Sequence, residues 1–271
     1  GFKYTFDLGI KAIEFDVLIS KDNIPVLYHD YTLNTNMVKD KNGNWIDNFD
    51  LKIMDLTYDQ ISNYSIESLK PGSGYSDRFK NQKSVEGAKI PKLIDLFKLA
   101  NKENYKDVFL NLEVKSNPNL NDVTPEPKEM VATILKDIKD YNLEDRIVVT
   151  SFDWRILYEL KKQNPNVLRG FLTLQQNLGS TKKNIYENSP WINKEFTMEE
   201  LFLLPNIIKS IEGHVWSAFY RDITKQNIEL AHKQGLAVNV WTVNREQDII
   251  RMIEYGVDGI ITDYPKKVQE I

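Results

Sequence analysis

The chain of 271 residues is 41% hydrophobic and 27% charged, the balance of an ordinary globular protein long enough to bury a substantial core. A formal net charge of −4 and a pI near 5.6 argue against a nucleic-acid-binding surface, and no run of about 18 apolar residues is present to form an integral membrane segment. The absence of cysteine excludes disulfides, thiolate catalysis and Cys-type zinc sites, and leaves a soluble protein of the cytoplasm or of a periplasmic or secreted compartment as the expectation.

In chain order, Phe2, Phe6 and Leu8 share one helical face, and Gly9 ends that helix. With no initiator Met and no signal-type segment before it, this start reads as the tail of a helix in a processed or trimmed chain. Residues 10–30, IKAIEFDVLISKDNIPVLYHD, then read as a strand, a turn at Lys21-Asp22-Asn23, and a short returning strand over 24–28 that delivers His29. Residues 34–90 differ in kind. They are rich in Asn, Asp, Lys, Gly and Tyr, and carry the turn signal Asn42-Gly43 and the loose run Pro71-Gly72-Ser73-Gly74. The expectation is a long polar insertion ordered by Trp45, Leu51, Leu56 and Ile61.

From Pro91 the rhythm is regular. A helix face (Leu93, Leu96, Phe97, Ala100) precedes a strand over 108–115, and a second helix face (Val131, Ile134, Leu135, Ile138) precedes a strand over 147–152. Trp154, Leu157 and Leu160 then mark a helix before a strand over 167–172. After a second irregular insertion, about 175–206, come a strand over 213–219, a helix over 224–234, a strand over 236–243, a helix over 245–254 and a strand over 258–262. Strand-then-helix alternation calls for a parallel sheet covered by helices. No Gly-rich phosphate loop follows any strand, which disfavours an open doubly wound sheet. The predicted fold is α/β, a TIM-type (β/α)8 barrel forming one domain over residues 1–271. Seven barrel strands are visible, with 24–28 an appendage, so the first barrel strand is expected upstream of Gly1.

The polar residues within these strands carry the chemistry. Glu14 and Asp16 are two apart in a strand and share a face, where their carboxylates repel each other unless a cation lies between them. Glu113 and Lys115 repeat that spacing near the end of the next strand, Ser151 and Phe152 end another, and Trp241 lies near the end of a later one. In a barrel these ends converge on one rim. Each residue also has a plainer account: solvated acids on an edge strand, a simple Glu113–Lys115 ion pair, Trp241 as core filler. Three carboxylates on a part-buried rim are nonetheless costly without a cation. His214, at the start of a strand, and His232, in a helix, read as structural or solvated.

These segments resemble the glycerophosphodiester phosphodiesterase family over nearly the whole chain. GIKAIEFDVLISKDNIPVLYHD is similar to the family's metal-and-histidine segment, LNLEVK to its second acidic strand, and VWTVN with GVDGIITDYP to its closing strands. LKPGSGYSDRF and HVWSAFYRD resemble a bacterial branch. The resemblance implies that Glu14, Asp16 and Glu113 hold a divalent cation, Mg2+ or Ca2+, that His29 is the catalytic acid/base, and that Lys115 faces the phosphate. Phe152 and Trp241 would wall the glycerol carbons. It also implies a small-molecule glycerophosphodiester as substrate, a cyclic phosphate intermediate formed by the glycerol 2-hydroxyl, and glycerol 3-phosphate and an alcohol as products. The family pattern opens with a His-Arg-Gly strand end and a following Glu-Asn-Thr, and this chain begins after both. Either the native protein carries them upstream of Gly1 or the chain is a degenerate relative. Two other readings stand beside the diesterase: a phospholipase D-like enzyme of the same barrel acting on lipids, and a catalytically impaired ligand-binding barrel.

Overall fold

The computed structural model describes residues 1–120, 122–179 and 181–271. Its first segment is the short helix α1 (Phe2–Asp7), which buries Phe6 and gives way to Gly9 at φ 78°. Strand β1 (Ala12–Ile19) follows, and β2 (Pro25–Leu27) folds back antiparallel on the last three residues of β1. The insertion carries α2 (Tyr58–Ile61) and α3 (Gly74–Arg78) before α4 (Leu93–Ala100) returns the chain to the framework. Alternation then runs through β3 (Phe109–Val114), α5 (Pro127–Asp140), β4 (Ile147–Ser151), α6 (Trp154–Gln163) and β5 (Leu168–Thr173). Helices α7 (Met198–Leu201) and α8 (Leu204–Ser210) close the second insertion. The chain ends with β6 (Val215–Phe219), α9 (Lys225–Lys233), β7 (Ala237–Trp241), α10 (Glu246–Tyr255), β8 (Gly259–Ile260) and α11 (Pro265–Gln269).

One sheet results, in the order β2-β1-β3-β4-β5-β6-β7-β8, parallel throughout except at β2. Seven parallel strands with helical crossovers form the curled sheet of an α/β barrel, and among the described residues no ladder joins β8 to β1. Strands β4 and β6 are buried along their whole length, as parallel strands covered on both faces should be. Strands β1 and β7 instead alternate: Ile13, Phe15 and Val17, and Val238 and Val240, pack into the main core, while the residues between them face a half-open interior. Among the described residues no helix is long and apolar enough to cross a membrane.

The 34–90 insertion is more ordered than its composition suggests. It has a hydrophobic cluster of its own, in which Val38, Ile46, Ile53, Ile61 and Ile90 pack against Leu18 and Val26 of the β1–β2 hairpin. Of the four predicted anchors, Ile61 is fully buried, and Leu51 and Leu56 border the cluster. Trp45 does not join it. Its neighbour Ile46 turns inward instead, and Trp45 lies under the Lys39 ammonium at 4.8 Å. The second insertion is pinned by buried Asn184, which accepts from the Leu174 N–H at 2.7 Å and donates to the carbonyls of Leu172 (2.9 Å) and Phe152 (3.2 Å). Ser180, within that insertion, lies outside the described residues.

Candidate active site

Because side chains alternate along a strand, burying Phe15 and Val17 against the helices sends Glu14 and Asp16 to the sheet's inner face. The parallel register sets Asp16 opposite Glu113 and Glu14 opposite Asn111. One carboxylate oxygen from each of Glu14, Asp16 and Glu113 consequently lies within 4.8 Å of the others. Lys115, one residue past β3, brings Nζ to 2.8 Å from Glu113 Oε1 and 3.5 Å from Asp16 Oδ1. Glu14 and Asp16 lie inside β1, whereas the strand pattern of the sequence alone reads them as its end. Strand β1 continues to Ile19 because β2 pairs with Val17, Leu18 and Ile19 and carries the strand past the rim.

The charges in this cluster do not balance. Burial raises the Glu14 carboxyl well above the usual carboxylate range, and the negative charges of Asp16 and Glu113 raise it further. Burial likewise raises Glu113, against the opposing pull of Lys115. Burial works against the Lys115 ammonium too, yet the adjoining Glu113 and Asp16 hold its pKa above the ordinary lysine value, so it stays charged. Three acids facing one ammonium form an oxygen-donor set short of positive charge, and such a set fits a hard divalent cation.

His29 follows β2 on the chain and lines the same cleft, which has a volume of about 1400 Å³. Its Nδ1 lies 2.6 Å from Asp30 Oδ1, and since a carboxylate only accepts, Nδ1 carries the proton. Asp30 is held in turn by Asn34 Nδ2 at 2.7 Å on its other oxygen, and the Asn34 N–H donates to the Tyr28 hydroxyl at 2.8 Å. The hydrogen bond to Asp30 raises the His29 pKa above the ordinary imidazole value, although desolvation and the Lys115 charge oppose it. The His29 side chain is 62% exposed, which leaves Nε2 accessible from the cleft.

The opposite wall is aromatic. Phe152, just past β4, meets Trp241 edge-on with ring centroids 5.2 Å apart, and Phe219 packs on Trp241 at 5.3 Å. The Trp241 Nε1 donates to the Ser217 carbonyl at 3.1 Å, which fixes the indole while its ring borders the cleft. Lys115 Nζ stands 6.0 Å from the Phe152 ring centre. All seven candidate site residues, Glu14, Asp16, His29, Glu113, Lys115, Phe152 and Trp241, therefore line one cleft.

The other two histidines lie elsewhere. His214 precedes β6, where its Nδ1 accepts from the Arg169 N–H at 3.2 Å, and His232 of α9 pairs with Asp258 at 2.9 Å. Sequence reasoning missed Asn34, which supports the cleft residue Asp30, and the cleft residues Arg78 and Asp263. Asn34 is a polar residue four beyond Asp30, a spacing with no motif attached to it. Arg78 and Asp263 meet across 185 residues, with a 2.7 Å hydrogen bond that no local pattern could disclose.

Carboxylates, an ammonium and an imidazole thus gather on the inner face of a barrel sheet, in the cleft where enzymes of this fold class carry their sites. Residues 1–267 match the Glycerophosphoryl diester phosphodiesterase family. A glycerophosphodiester phosphodiesterase of Caldanaerobacter subterraneus subsp. tengcongensis is 31% identical over 266 residues, covering 98% of this chain and 87% of that one. Among solved structures, a protein of the same family from Silicibacter pomeroyi superposes with a TM-score of 0.86 at 32% identity, covering 99% of this chain and 85% of that one. A phosphodiesterase of Oleispira antarctica, solved in complex with its product sn-glycerol-3-phosphate, shares the fold at 20% identity, with a TM-score of 0.69 over 99% of this chain and 87% of that one. The chain belongs to the glycerophosphoryl diester phosphodiesterase family and is a hydrolase of glycerophosphodiesters.

Proposed function

We propose that this cleft hydrolyses glycerophosphodiesters to glycerol 3-phosphate and an alcohol, with Glu14, Asp16 and Glu113 holding a divalent cation, Lys115 facing the phosphate and His29 acting as acid/base. The observation that carries this reading is the meeting of three carboxylates from β1 and β3 within 4.8 Å, with Lys115 between two of them. An all-oxygen donor set of this kind suits a hard divalent cation, Mg2+ or Ca2+. When bound, the cation supplies Lewis-acid stabilisation of charge on the phosphoryl oxygens.

The chain's own residues do the rest. The Lys115 side chain is 12% exposed and permanently charged, so it places a fixed ammonium beside the negative charge that grows during displacement. His29, whose protonated form is favoured by its hydrogen bond to Asp30, gives its Nε2 proton to the leaving alkoxide, a general-acid contribution of about 10²–10⁴ in rate. Asp30 and Asn34 keep the imidazole in one tautomer and one orientation. Phe152 and Trp241 offer an apolar wall to the glycerol carbons.

The test is glycerol 3-phosphate release from glycerophosphocholine by the full-length protein, with calcium or magnesium added after chelation. The expected result is activity restored by the cation and lost, by about 10² or more, in His29→Gln. Full activity in the presence of chelator would overturn the cation assignment, and an unimpaired His29→Gln would overturn the acid.

A further inference from the structure

Part of the mouth of the cleft is formed by residues outside the sheet. It is bordered by α3, a five-residue helix that buries none of its residues. A helix of that length has no stability of its own in water, so its position depends on what ties it down. One tie is local: Ser73 caps the helix by accepting from the Ser76 N–H at 3.1 Å. The other reaches the barrel. Arg78 Nη2 donates to Asp263 Oδ2 at 2.7 Å, in the loop that follows β8.

Asp263 is built to receive that contact. Asn244 donates to the same carboxylate oxygen at 2.7 Å, and its own side-chain oxygen accepts from the Asp263 N–H and the Thr262 hydroxyl, each at 3.0 Å. The carboxylate is thus anchored to the barrel whether or not Arg78 is present. On the other side, the Arg78 guanidinium lies 4.8 Å from the Phe79 ring centre, and Phe79 stacks with Tyr75 at 6.3 Å. One cation therefore binds the barrel carboxylate and steadies the aromatic pair. Both rings line the same cleft as His29 and Asp30.

We propose that Arg78 is a positioning residue: its ion pair with Asp263 latches α3 across the mouth of the cleft, so that Tyr75 and Phe79 wall the space occupied by the leaving alcohol. This rests on the diesterase reading, with His29 serving the leaving group. It makes the polar insertion a determinant of head-group recognition. It also predicts that substrates whose alcohol is too small to reach α3 are indifferent to the latch.

The experiment uses the full-length protein and three variants, Arg78→Ala, Asp263→Asn and Arg78→Lys, with two readouts. Hydrogen exchange over residues 74–82 reads the latch without reference to activity, and it should quicken in Arg78→Ala and Asp263→Asn and recover partly in Arg78→Lys. Kinetics then compare glycerophosphocholine with the methyl ester of glycerol 3-phosphate. For glycerophosphocholine, KM should rise about fivefold in Arg78→Ala with kcat within about twofold, and that variant should cleave the methyl ester as the unsubstituted protein does. Unchanged exchange would overturn the latch. Equal losses on both esters, or no loss on either, would overturn the leaving-group wall. If the unsubstituted protein cleaves neither ester, the diesterase reading fails and takes the positioning role with it, while the exchange data still decide whether α3 is latched.

Discussion

Two groups of carboxylates lie near the carboxyl ends of neighbouring strands, and they are finished differently. Asp153, just past β4, is fully buried, and both of its oxygens are spoken for. The Ser116 hydroxyl donates to it at 2.7 Å, Arg155 grips it with Nε at 2.9 Å and Nη2 at 2.7 Å, and the Arg155 N–H caps it at 3.2 Å. That acid has a matched counter-charge and starts α6. The cluster of Glu14, Asp16 and Glu113 has three acids for the single ammonium of Lys115, and burial leaves two of them with raised pKa values. A satisfied buried acid serves the fold, whereas an unsatisfied group of acids waits for a ligand.

The largest expected effect separates the two groups by function. Glu113→Gln or Glu14→Ala should lower glycerophosphodiester turnover by about 10³ or more and remove calorimetrically measured calcium binding. Neither should cost the cation-free fold much, because removing one of several crowded acids relieves repulsion. Unchanged cation affinity in both variants would show that the ligands lie elsewhere.

Asp153→Ala should do the reverse. It leaves Arg155 and Ser116 without their buried partner, and the expected loss is about 3 kcal/mol of unfolding free energy in urea titrations, with cation affinity retained. A loss under about 0.5 kcal/mol would make Asp153 dispensable and erase the contrast.

A third effect of similar size comes from the ligand. Saturating cation at about 100 times its Kd should raise stability by about 2.7 kcal/mol, and Asp16→Ala should abolish that gain. The pH dependence follows from the same carboxyls. Glu14 and Glu113 are raised in the folded state, so the stability they contribute is present below the unfolded value near 4.5 and is lost as pH rises through their folded values. Chelated protein should therefore weaken with rising pH through that window, and added cation should reverse the trend. Thermal melts with and without chelator, taken across pH 4 to 8, are the check.

The smallest expected effect is a control remote from both groups. Burial, followed by the Arg169 charge, lowers the His214 pKa below 6.5, and its Nδ1 accepts a backbone hydrogen bond that requires the neutral ring. The stability it contributes is complete above the unfolded value and is lost as pH falls through the folded one. His214→Gln should flatten a slight acid-side decline in melting temperature without altering cation binding. An unaltered decline would assign it to other groups.

Much of this organisation was legible before any fold was known, because it is written in local periodicity. Alternation of apolar and acidic residues in 12–19 placed Glu14 and Asp16 on one face, and the strand-then-helix rhythm after Pro91 called for a parallel barrel sheet. Those features depend on residues within a few positions of one another, and chain geometry alone enforces them. The tertiary structure decided which acid meets which. Asp16 faces Glu113 because of a strand register, Asp153 meets the Ser116 hydroxyl because β3 and β4 lie side by side, and Ile46 rather than Trp45 fills the insertion's core. Arg78 reaches Asp263 because the polar insertion closes against a loop 185 residues away. Contacts of that kind depend on packing and loop closure across the whole chain, and no short stretch of sequence contains them.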